Sequence, residues 1–287
     1  MKKNKIKDTG LEVTELSFGT SSLGSMPDTY GYEVPEQRAQ ETLKRFFQGP
    51  VNMLDTSRNY AMGESEKRIG IAIKENGGWP ENFILSTKID RNMETLVLDK
   101  KRTRESIEES LKTLNVDSVD ILFLHDPEYV KDVNDVTKKD GALDELFKIK
   151  EEGLAKAVGL AMGKINVMFP ILKNWDFDVI INHNRYTLLN READEMYSYA
   201  HSKNISIFNA APYAGGVLAK GPSNFKKITY QDVTEEKLAP AREIEKVCKK
   251  YNVEMGAAAL QFSMKDKRIT STLCGVTSVQ SIEKNLS

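Results

Sequence analysis

The stretch Val119-Asp120-Ile121-Leu122-Phe123-Leu124 is an apolar run of strand length, and a longer stretch of helical period follows it from Gly141 to Glu152. The same pairing recurs along the chain from Val13 onward, with no linker or low-complexity tract between units. Alternating strands and helices are typical of α/β folds, in which helices cover a parallel sheet. We therefore expect one continuous α/β domain spanning residues 1–287.

Eight strand-like runs and eight helical stretches can be identified in this way. The strands are Glu15–Phe18, Val51–Leu54, Phe83–Ser86, Val119–Leu124, Ala155–Leu160, Asp178–Ile181, Ile205–Phe208 and Ile269–Leu273. The helices are Glu36–Phe47, Ser65–Glu75, Thr103–Leu114, Gly141–Glu152, Asn166–Leu172, Arg191–Ser202, Thr234–Tyr251 and Val279–Leu286, with Thr103 and Thr234 as expected N-caps. The pattern predicts a single (β/α)8 TIM barrel, preceded by a short β-hairpin over Ile6–Val13.

An open doubly wound sheet is the main alternative fold. It is disfavoured because no Gly-x-Gly-x-x-Gly sequence follows an early strand, where a dinucleotide-binding sheet of that kind would carry one.

Composition and charge restrict the function classes. The 41 Lys and Arg residues nearly balance the 42 Asp and Glu residues, so a polyanionic partner such as nucleic acid is not expected. Cys248 and Cys274 belong to no Cys-x-x-Cys pair, which disfavours a disulfide framework or a zinc site. The basic N-terminus lacks the apolar run of a secretory signal, and no stretch reaches the length of a membrane span. We expect a cytoplasmic protein, a monomer or small homo-oligomer, that acts on a small molecule.

Four polar residues follow strand ends where a barrel would gather them on one face. Asp55 follows the second strand, Lys88 the third and His125 the fourth, and Tyr60 lies in the loop after the second strand. Taken singly, each has an ordinary explanation as a turn former, a solvated cation, an aromatic lid residue or a backbone-bonded histidine. Taken together they indicate a site, because adjacent barrel strands bring them within side-chain reach.

The four side chains suit hydride transfer at a carbonyl carbon, in which a proton must be delivered to or removed from oxygen. We expect Tyr60 to carry that proton, Lys88 to stabilise its phenolate, Asp55 to hold Lys88, and His125 to orient the substrate oxygen. The hydride has to come from a cofactor. A metal-using barrel isomerase or aldolase is disfavoured and no metal is expected, because the three histidines show no clustered ligand set.

With their surroundings, these residues resemble the aldo-keto reductase superfamily along nearly the whole chain. The decisive segment runs from Leu54-Asp55-Thr56 through Tyr60 to Gly63-Glu64-Ser65-Glu66 and Gly70, joined by Ser86-Thr87-Lys88 and Leu124-His125-Asp126-Pro127. The resemblance implies that Tyr60 is the general acid/base and that Asp55, Lys88 and His125 support it.

A narrower resemblance is to the aldose 1-dehydrogenase branch, which includes D-threo-aldose, L-fucose and L-galactose dehydrogenases. It rests on Phe18–Gly24, His125–Glu128, Arg185–Asn190 and Asn209–Leu218. It implies oxidation of an aldose at C1 to the lactone with NAD or NADP as acceptor. Reduction of small aldehydes or ketones by NADPH, and a non-catalytic nucleotide-binding role, remain the alternatives.

The resemblance also implies a set of cofactor-binding positions. They are Gly19, Thr20, Asn182, His183, Pro212, Gly215, Gly216, Leu218, Gly275, Thr277, Ser278, Ser281 and Asn285. The usual nicotinamide-binding Ser-Asn pair, Gln and stacking Tyr are replaced by Ala161-Met162, His183 and Ala210, so Asn182, His183 or Asn184 would have to hold the amide.

Two further positions bear on the choice of nucleotide. Gly275 and Ser281 stand where NADP-preferring relatives place a Lys and an Arg on the 2′-phosphate, which favours NAD over NADP. Thr277 and Ser278 could receive a phosphate at the start of the last helix or simply cap that helix.

Two expectations concern loops and the end of the chain. The polar stretch Lys220–Asp232 is either a loop that folds over the cofactor or a plain mobile loop. The chain ends directly after the last helix, without the usual C-terminal segment, so the sequence is truncated or its pocket is more open.

Overall fold

The computed structural model describes residues 1–225 and 227–287. The strands in these residues are β1 Lys3–Lys5, β2 Glu12–Thr14, β3 Leu16–Gly19, β4 Met53–Asp55, β5 Ile84–Ile89, β6 Val119–His125, β7 Ala155–Met162, β8 Val179–His183, β9 Ser206–Ala210, β10 Lys227–Ile228, β11 Gln231–Asp232 and β12 Ser271–Gly275. Strands β3 to β9 and β12 are parallel and close into a barrel in the order β12-β3-β4-β5-β6-β7-β8-β9. The predicted barrel is confirmed.

Helices surround this barrel. They are α1 Pro27–Tyr30, α2 Glu36–Phe47, α3 Glu64–Glu75, α4 Lys100–Leu114, α5 Asn134–Thr137, α6 Ala142–Glu151, α7 Ile165–Asn174, α8 Asp194–Ser202, α9 Val217–Lys220, α10 Glu235–Lys250, α11 Met255–Met264 and α12 Val279–Leu286. The predicted N-terminal hairpin is also confirmed: β1 pairs antiparallel with β2, and Lys3 lies opposite Thr14. Ile6 and Val13 are fully buried and pack with the side chains inside the barrel, so the hairpin covers its N-terminal end.

Three local predictions require correction. Helix α4 begins earlier than expected, because the side chain of Asp99 accepts a hydrogen bond from the Arg102 N–H and serves as the N-cap. Thr103 therefore lies inside the helix, where its hydroxyl donates to the Asp99 carbonyl. Thr234 is the N-cap of α10 by position but makes no side-chain capping bond. Helix α11 was not predicted, because its apolar residues surround it rather than forming one stripe.

Alternate residues of the barrel strands point inward and form a solid floor. The inward-facing side chains include those of Met53, Ile84, Ile121, Phe123 and Phe208. The outward-facing alternates, such as Leu54, Leu85 and Leu122, pack against the helices. A polar residue two positions beyond a floor residue therefore faces the mouth of the barrel at the C-terminal ends of the strands.

Helices α3 and α4 approach each other closely at Gly70. A Cβ atom at this position would collide with the carbonyl oxygen of Thr113 and lie 3.3 Å from the backbone of Leu114. Both are backbone atoms of α4, so relief requires the helices to move apart.

We expect Gly70→Ala to lower the free energy of unfolding by roughly 1–3 kcal/mol, because a buried overpacked site must shift the backbone. Urea denaturation followed by circular dichroism measures this. Gly256→Ala in α11 is the matched control. A Cβ at this position would lie 3.7 Å from Ala219 of α9, which is an ordinary van der Waals contact. Equal stability of the two variants would contradict the close-packing argument.

Glu66 of α3 is a fully buried carboxyl group. Its Oε1 accepts a hydrogen bond of 2.6 Å from the Thr87 hydroxyl of β5, which links helix to barrel. Burial raises the pKa of Glu66 to about 7, although the Thr87 hydrogen bond works in the opposite direction. The folded state therefore holds this proton more tightly than the unfolded chain does.

Ionising Glu66 within the fold destabilises the protein progressively as pH rises from the unfolded pKa near 4.5 to the folded pKa near 7. Glu66→Gln keeps the shape but cannot ionise, so we expect it to gain about 2 kcal/mol relative to the wild type between about pH 5 and pH 8. Thermal or urea unfolding at both pH values tests this. Glu108→Gln, at an exposed position on α4, controls for loss of a carboxylate. A difference independent of pH would argue against the buried titration.

The described residues also bear on redox chemistry and membranes. Cys248 and Cys274 are both buried and free. Among the described residues, no helix combines the length and apolar character needed to cross a bilayer.

Candidate active site

A buried ion pair lies at the mouth of the barrel. Asp55 is the last residue of β4 and Lys88 the last but one of β5, so both lie inside the strand ends rather than beyond them. Lys88 Nζ donates to Asp55 Oδ2 at 2.7 Å and to the Thr56 carbonyl at 2.6 Å, and each charged side chain is 2% exposed. The second carboxylate oxygen of Asp55 accepts from the Ser86 hydroxyl at 2.6 Å. The pair is thus fully hydrogen-bonded, as buried charges require.

Tyr60, in the loop after β4, accepts the remaining hydrogen bond of the Lys88 ammonium group. Lys88 Nζ donates to Tyr60 Oη at 3.1 Å, so the phenol proton remains free to point into the mouth. The Tyr60 ring meets the His125 ring edge-on at 5.9 Å between centroids. The structure therefore brings together the four residues that the sequence singled out.

The backbone turns sharply directly after Tyr60. Ala61 and Met62 have φ values of 51° and 55°, in the left-handed region that side chains rarely adopt, and Gly63 has φ 95°. A Cβ atom at residue 63 would also collide with the Arg58 guanidinium. Glycine is therefore needed where this strained turn enters α3.

The protonation state of Tyr60 differs from the expectation that Lys88 favours a phenolate. Burial raises the pKa of Tyr60 well above its usual value, and the negative charge of Asp55 adds to the rise. Lys88 cannot offset this because Asp55 already balances its charge. Tyr60 accordingly holds its proton at neutral pH, which suits a proton donor and makes it a base only under more alkaline conditions.

His125, the last residue of β6, is bonded to a carboxylate that sequence reasoning missed. Its Nδ1 lies 2.6 Å from Oδ1 of Asp90, which is fully buried. Asp90 comes two residues after Lys88, so strand alternation places both side chains on the inner face. That alternation was the available signal. Although burial opposes it, the negative charges of Asp126 and Asp90 raise the pKa of His125.

A second carboxylate lies on the other side of His125. Asp126 Oδ2 is 3.7 Å from His125 Nε2, and Asp126 Oδ1 is 3.7 Å from His183 Nε2. Although burial works the other way, these two histidines lower the pKa of Asp126 to about 2. Glu128 is adjacent, and one oxygen each of Asp126 and Glu128 is buried without a hydrogen-bond partner among the described residues.

One side-chain oxygen or ring nitrogen from each of Asp126, Glu128 and His183 lies within 4.8 Å of the other two. The sequence did not predict this cluster. Its closeness has a simple explanation: the Asp126–His183 contact, and the two bonds that Glu128 Oε1 accepts from the N–H groups of Gly163 and Lys164.

Comparison with known proteins identifies the family. The sequence model of the Aldo/keto reductase family matches residues 15–287. The chain belongs to the aldo/keto reductase family. It is 31% identical to L-galactose dehydrogenase of Arabidopsis thaliana over 97% of this chain and 85% of that protein. It is 26% identical to D-threo-aldose 1-dehydrogenase of a Pseudomonas species over 93% and 86%, respectively. These similarities support the aldose dehydrogenase branch suggested by the sequence.

The fold comparison agrees with the sequence comparison. The chain superimposes on a holo-form aldo-keto reductase from Bacillus halodurans with a TM-score of 0.79 at 22% identity, covering 100% of this chain and 90% of that one. As a member of this family the chain is an oxidoreductase, and the family uses NAD or NADP.

The predicted cofactor positions lie at or after the ends of four barrel strands, β3, β8, β9 and β12. Gly19 and Thr20 end β3, and Gly275 ends β12 directly opposite Gly19. Thr20 binds the Asp55 carbonyl through both its N–H, at 3.0 Å, and its hydroxyl, at 2.9 Å. The cofactor positions thus adjoin the catalytic candidates.

The start of α12 is a fully formed capping box. The Ser281 hydroxyl accepts from the N–H groups of Thr277 and Ser278 at 2.9 and 3.1 Å, and Ser278 Oγ accepts from the Ser281 N–H. Of the two expectations for this region, the structure displays the capped helix. A phosphate at these N–H groups would have to replace the Ser281 hydroxyl.

The loop after β9 contains two glycines in left-handed conformations and a buried leucine. Gly215 and Gly216 have φ values of 77° and 115°, and a Cβ at Gly215 would come within 2.7 Å of the Tyr230 backbone nitrogen. Leu218 is fully buried in a cluster with α10 and α11 rather than exposed to the mouth. Asn285 accepts a hydrogen bond of 2.6 Å from Tyr213, one residue after Pro212.

Of the residues expected to hold the nicotinamide amide, Asn182 is not placed at the mouth. It is fully buried, and its Nδ2 donates to the Met162 carbonyl at 2.9 Å and lies 3.6 Å from Met168 of α7, on the helix side of the strand. Strand alternation is the reason, since Ile181 and His183 take the inward positions. His183 and Asn184 therefore remain as candidates.

The surroundings of Asn184 fit a carboxamide. Asn184 is 2% exposed, and its Nδ2 lies 3.2 Å from His183 Nδ1. Its Oδ1 is buried without a hydrogen-bond partner among the described residues. An orphaned acceptor of this kind needs an N–H donor, which the nicotinamide amide would supply.

The stretch Lys220–Asp232 has regular secondary structure in part of its described residues. Lys226 lies outside the described residues, while Lys227–Ile228 pairs with Gln231–Asp232 as a small hairpin. Tyr230 at its turn packs edge-on against Tyr30 at 5.6 Å between ring centroids. The hairpin and the loop after β3 thus line the same side of the mouth.

The Lys88–Tyr60 contact yields a prediction on pH. Lys88→Met leaves Asp55 without its partner, so we expect the pKa of Tyr60 to rise further. Oxidation at neutral pH should fall on the order of a hundredfold and recover in part as pH rises and phenolate forms. The dependence of kcat/KM on pH measures this.

Lys150→Met is the matched control, because Lys150 pairs with the buried Asp178 at the start of β8, at the opposite end of the barrel. It should leave the pH profile unmoved. An equal loss at every pH in Lys88→Met would show that Lys88 only supports the fold.

Proposed function

We propose that this enzyme oxidises an aldose at C1 to the lactone, with Tyr60 as the general acid/base and NAD weakly preferred over NADP. The observation that carries the proposal is the hydrogen-bonded group of Asp55, Lys88 and Tyr60 beside His125. A bound nicotinamide nucleotide would accept the hydride that leaves C1. The sugar hydroxyl loses its proton to the phenolate form of Tyr60, and His125 orients the same oxygen.

The polar side of the mouth supports a sugar substrate. Glu128 Oε2, which has no hydrogen-bond partner among the described residues, and the neighbouring carboxylate of Asp126 accept hydrogen bonds but cannot donate them when ionised. A polyhydroxylated ligand offers several hydroxyl donors, whereas a simple aldehyde offers none. The names of the dehydrogenases that resemble this chain point to the same substrate class.

The nucleotide preference rests on charge. Gly275 and Ser281 bring no cation to the expected 2′-phosphate position, and the Ser281 hydroxyl is engaged in the helix cap. A dianionic phosphate would lack its usual partners there. Cytoplasmic location and a monomeric or small homo-oligomeric state remain predictions.

Reduction of small aldehydes or ketones by NADPH is the alternative. It is favoured by the raised pKa of Tyr60, because a phenol that keeps its proton at neutral pH is ready to protonate a carbonyl oxygen. A non-catalytic nucleotide-binding role is the third candidate, suggested by Ala161, Met162 and Ala210 at the usual amide-binding and stacking positions.

A substrate panel separates these functions. Purified protein is mixed with NAD or NADP and free aldoses, including L-fucose, L-galactose and D-arabinose, and reduced nicotinamide is followed by absorbance. We expect reduction of NAD with at least one sugar. NADPH oxidation with simple aldehydes, and no reaction with sugars, would establish the reductase. Inactivity in both directions with intact nucleotide binding would favour the non-catalytic role.

Tyr60→Phe removes the proton carrier and little else. We expect kcat to fall by a factor on the order of 10²–10⁴ with nucleotide affinity nearly unchanged, as measured by turnover and by a fluorescence titration. Tyr199→Phe, in α8 on the outer helix layer, is the control and should keep full activity. Unchanged turnover in Tyr60→Phe would remove Tyr60 as the acid/base.

Glu128→Gln tests the sugar-binding role of the mouth. Replacing an acceptor-only group with an amide turns one contact into a donor, so we expect KM for the active sugar to rise about tenfold, with a smaller change for a simple carbonyl substrate in the reverse direction. Steady-state kinetics on both substrates gives the comparison. Parallel changes in both KM values would argue for a general structural effect instead.

A further inference from the structure

We propose that Asp90 is a positioning residue that holds His125 as a cation, with its Nε2–H directed at the substrate oxygen, and that the same carboxylate anchors the Tyr60 loop. This rests on the proposed function, in which His125 and Tyr60 share the reacting oxygen.

The hydrogen bonds of Asp90 fix where the imidazole protons lie. Oδ2 accepts from the Ser57 hydroxyl at 2.5 Å and from the Asn59 N–H at 2.9 Å, and Oδ1 lies 2.6 Å from His125 Nδ1. A carboxylate that receives two other donors acts as the acceptor toward the imidazole as well. His125 Nδ1 therefore carries a proton, and Nε2 is the nitrogen left to face the mouth.

The charges around His125 favour a proton on Nε2 too. The titratable side chains that face it from the adjoining strand ends and loops are Asp90, Asp126, Lys88 and Tyr60. Lys88 is balanced by Asp55, whereas Asp90 and Asp126 both favour imidazolium and outweigh burial. His183 reaches this group only through Asp126.

A cationic His125 complements the raised pKa of Tyr60. The phenol form of Tyr60, which burial favours, cannot accept a proton, so only its minor phenolate form can take one from the substrate hydroxyl at neutral pH. An imidazolium hydrogen bond to the substrate oxygen stabilises the negative charge that develops there, and so eases loss of the proton. Asp90 would thus compensate for the burial that keeps Tyr60 mostly protonated.

The second function of Asp90 is mechanical. Its bonds to Ser57 and Asn59 hold the segment directly before Tyr60, and the left-handed turn at Ala61 and Met62 follows directly after it. Non-glycine residues in that region persist only when their surroundings fix them. One buried carboxylate therefore fixes the spacing between Tyr60 and His125.

The protonation state can be measured without turnover. The chain has three histidines, so ¹⁵N- and ¹³C-labelled histidine gives three imidazole signals, and His125→Asn assigns the one of interest. In wild type we expect His125 to titrate above the usual histidine range with Nδ1 protonated throughout. In Asp90→Asn we expect the midpoint to fall by at least about one pH unit, a tenfold change in proton affinity.

Asp120→Asn is the matched control. Asp120 is another buried carboxylate, bonded to the Leu85 N–H and to Lys156 at the opposite end of the barrel. It should lose stability without moving the His125 midpoint. A wild-type midpoint at or below the usual histidine value, or an unprotonated Nδ1, would overturn the proposal even if Asp90→Asn does not fold.

Kinetics provide the second readout. In the reductive direction, where protonated Tyr60 is the donor and imidazolium is the active form of His125, activity declines as His125 loses its proton. The alkaline limb of that pH profile in Asp90→Asn should therefore move to lower pH by the same amount as the midpoint measured by NMR. A uniform loss at all pH values would reduce Asp90 to a structural role. If no sugar is oxidised, the proposed function fails, while the wild-type titration still decides the state of His125.

Discussion

The architecture of the mouth depends on the buried Lys88–Asp55 pair. Two opposite charges, each 2% exposed, are stable there only because every polar contact is satisfied, with Thr56 and Ser86 completing the shell. The pair joins β4 to β5, and its one remaining donor direction selects the position of Tyr60. Geometry and protonation at the reacting oxygen both follow from this arrangement.

Negative charge acts in the same direction on the two proton-carrying residues. Burial and the nearby carboxylates raise the pKa of Tyr60, which is neutral when protonated, and the carboxylates outweigh burial to raise that of His125, which becomes a cation. In each case the protonated form is favoured. The mouth therefore carries two protonated donors aimed at one region, which is compatible with protonating a carbonyl oxygen and with polarising a sugar hydroxyl. The direction of the physiological reaction depends on the ligands that bind above them.

Strand periodicity explains what could be predicted and what could not. Asp55, Lys88 and His125 were predicted to share one face because each directly follows a strand-like run, and in the structure strand alternation also turns each of them inward. The same rule would have found Asp90, two residues after Lys88, and would have rejected Asn182, which points toward Met168 on the helix side. The capping of α4 by Asp99 is a local signal that could have been recognised, because Asp is a preferred N-cap and accepts from the N–H three residues later. The all-round apolar helix α11 instead depends on tertiary packing, which local sequence patterns do not encode.

The altered amide-binding positions have a structural counterpart in the loop after β8. Ala161 and Ala210 are small inward-facing residues of the floor, so neither can reach up to a ring as a longer polar side chain would. Asn184, with φ 61°, lies where the chain turns left-handed beside His183, and its amide oxygen has no partner among the described residues. A backbone turn thus brings to the mouth a polar group that the strands themselves do not supply. We propose that this loop, rather than the strand ends, binds the nicotinamide amide.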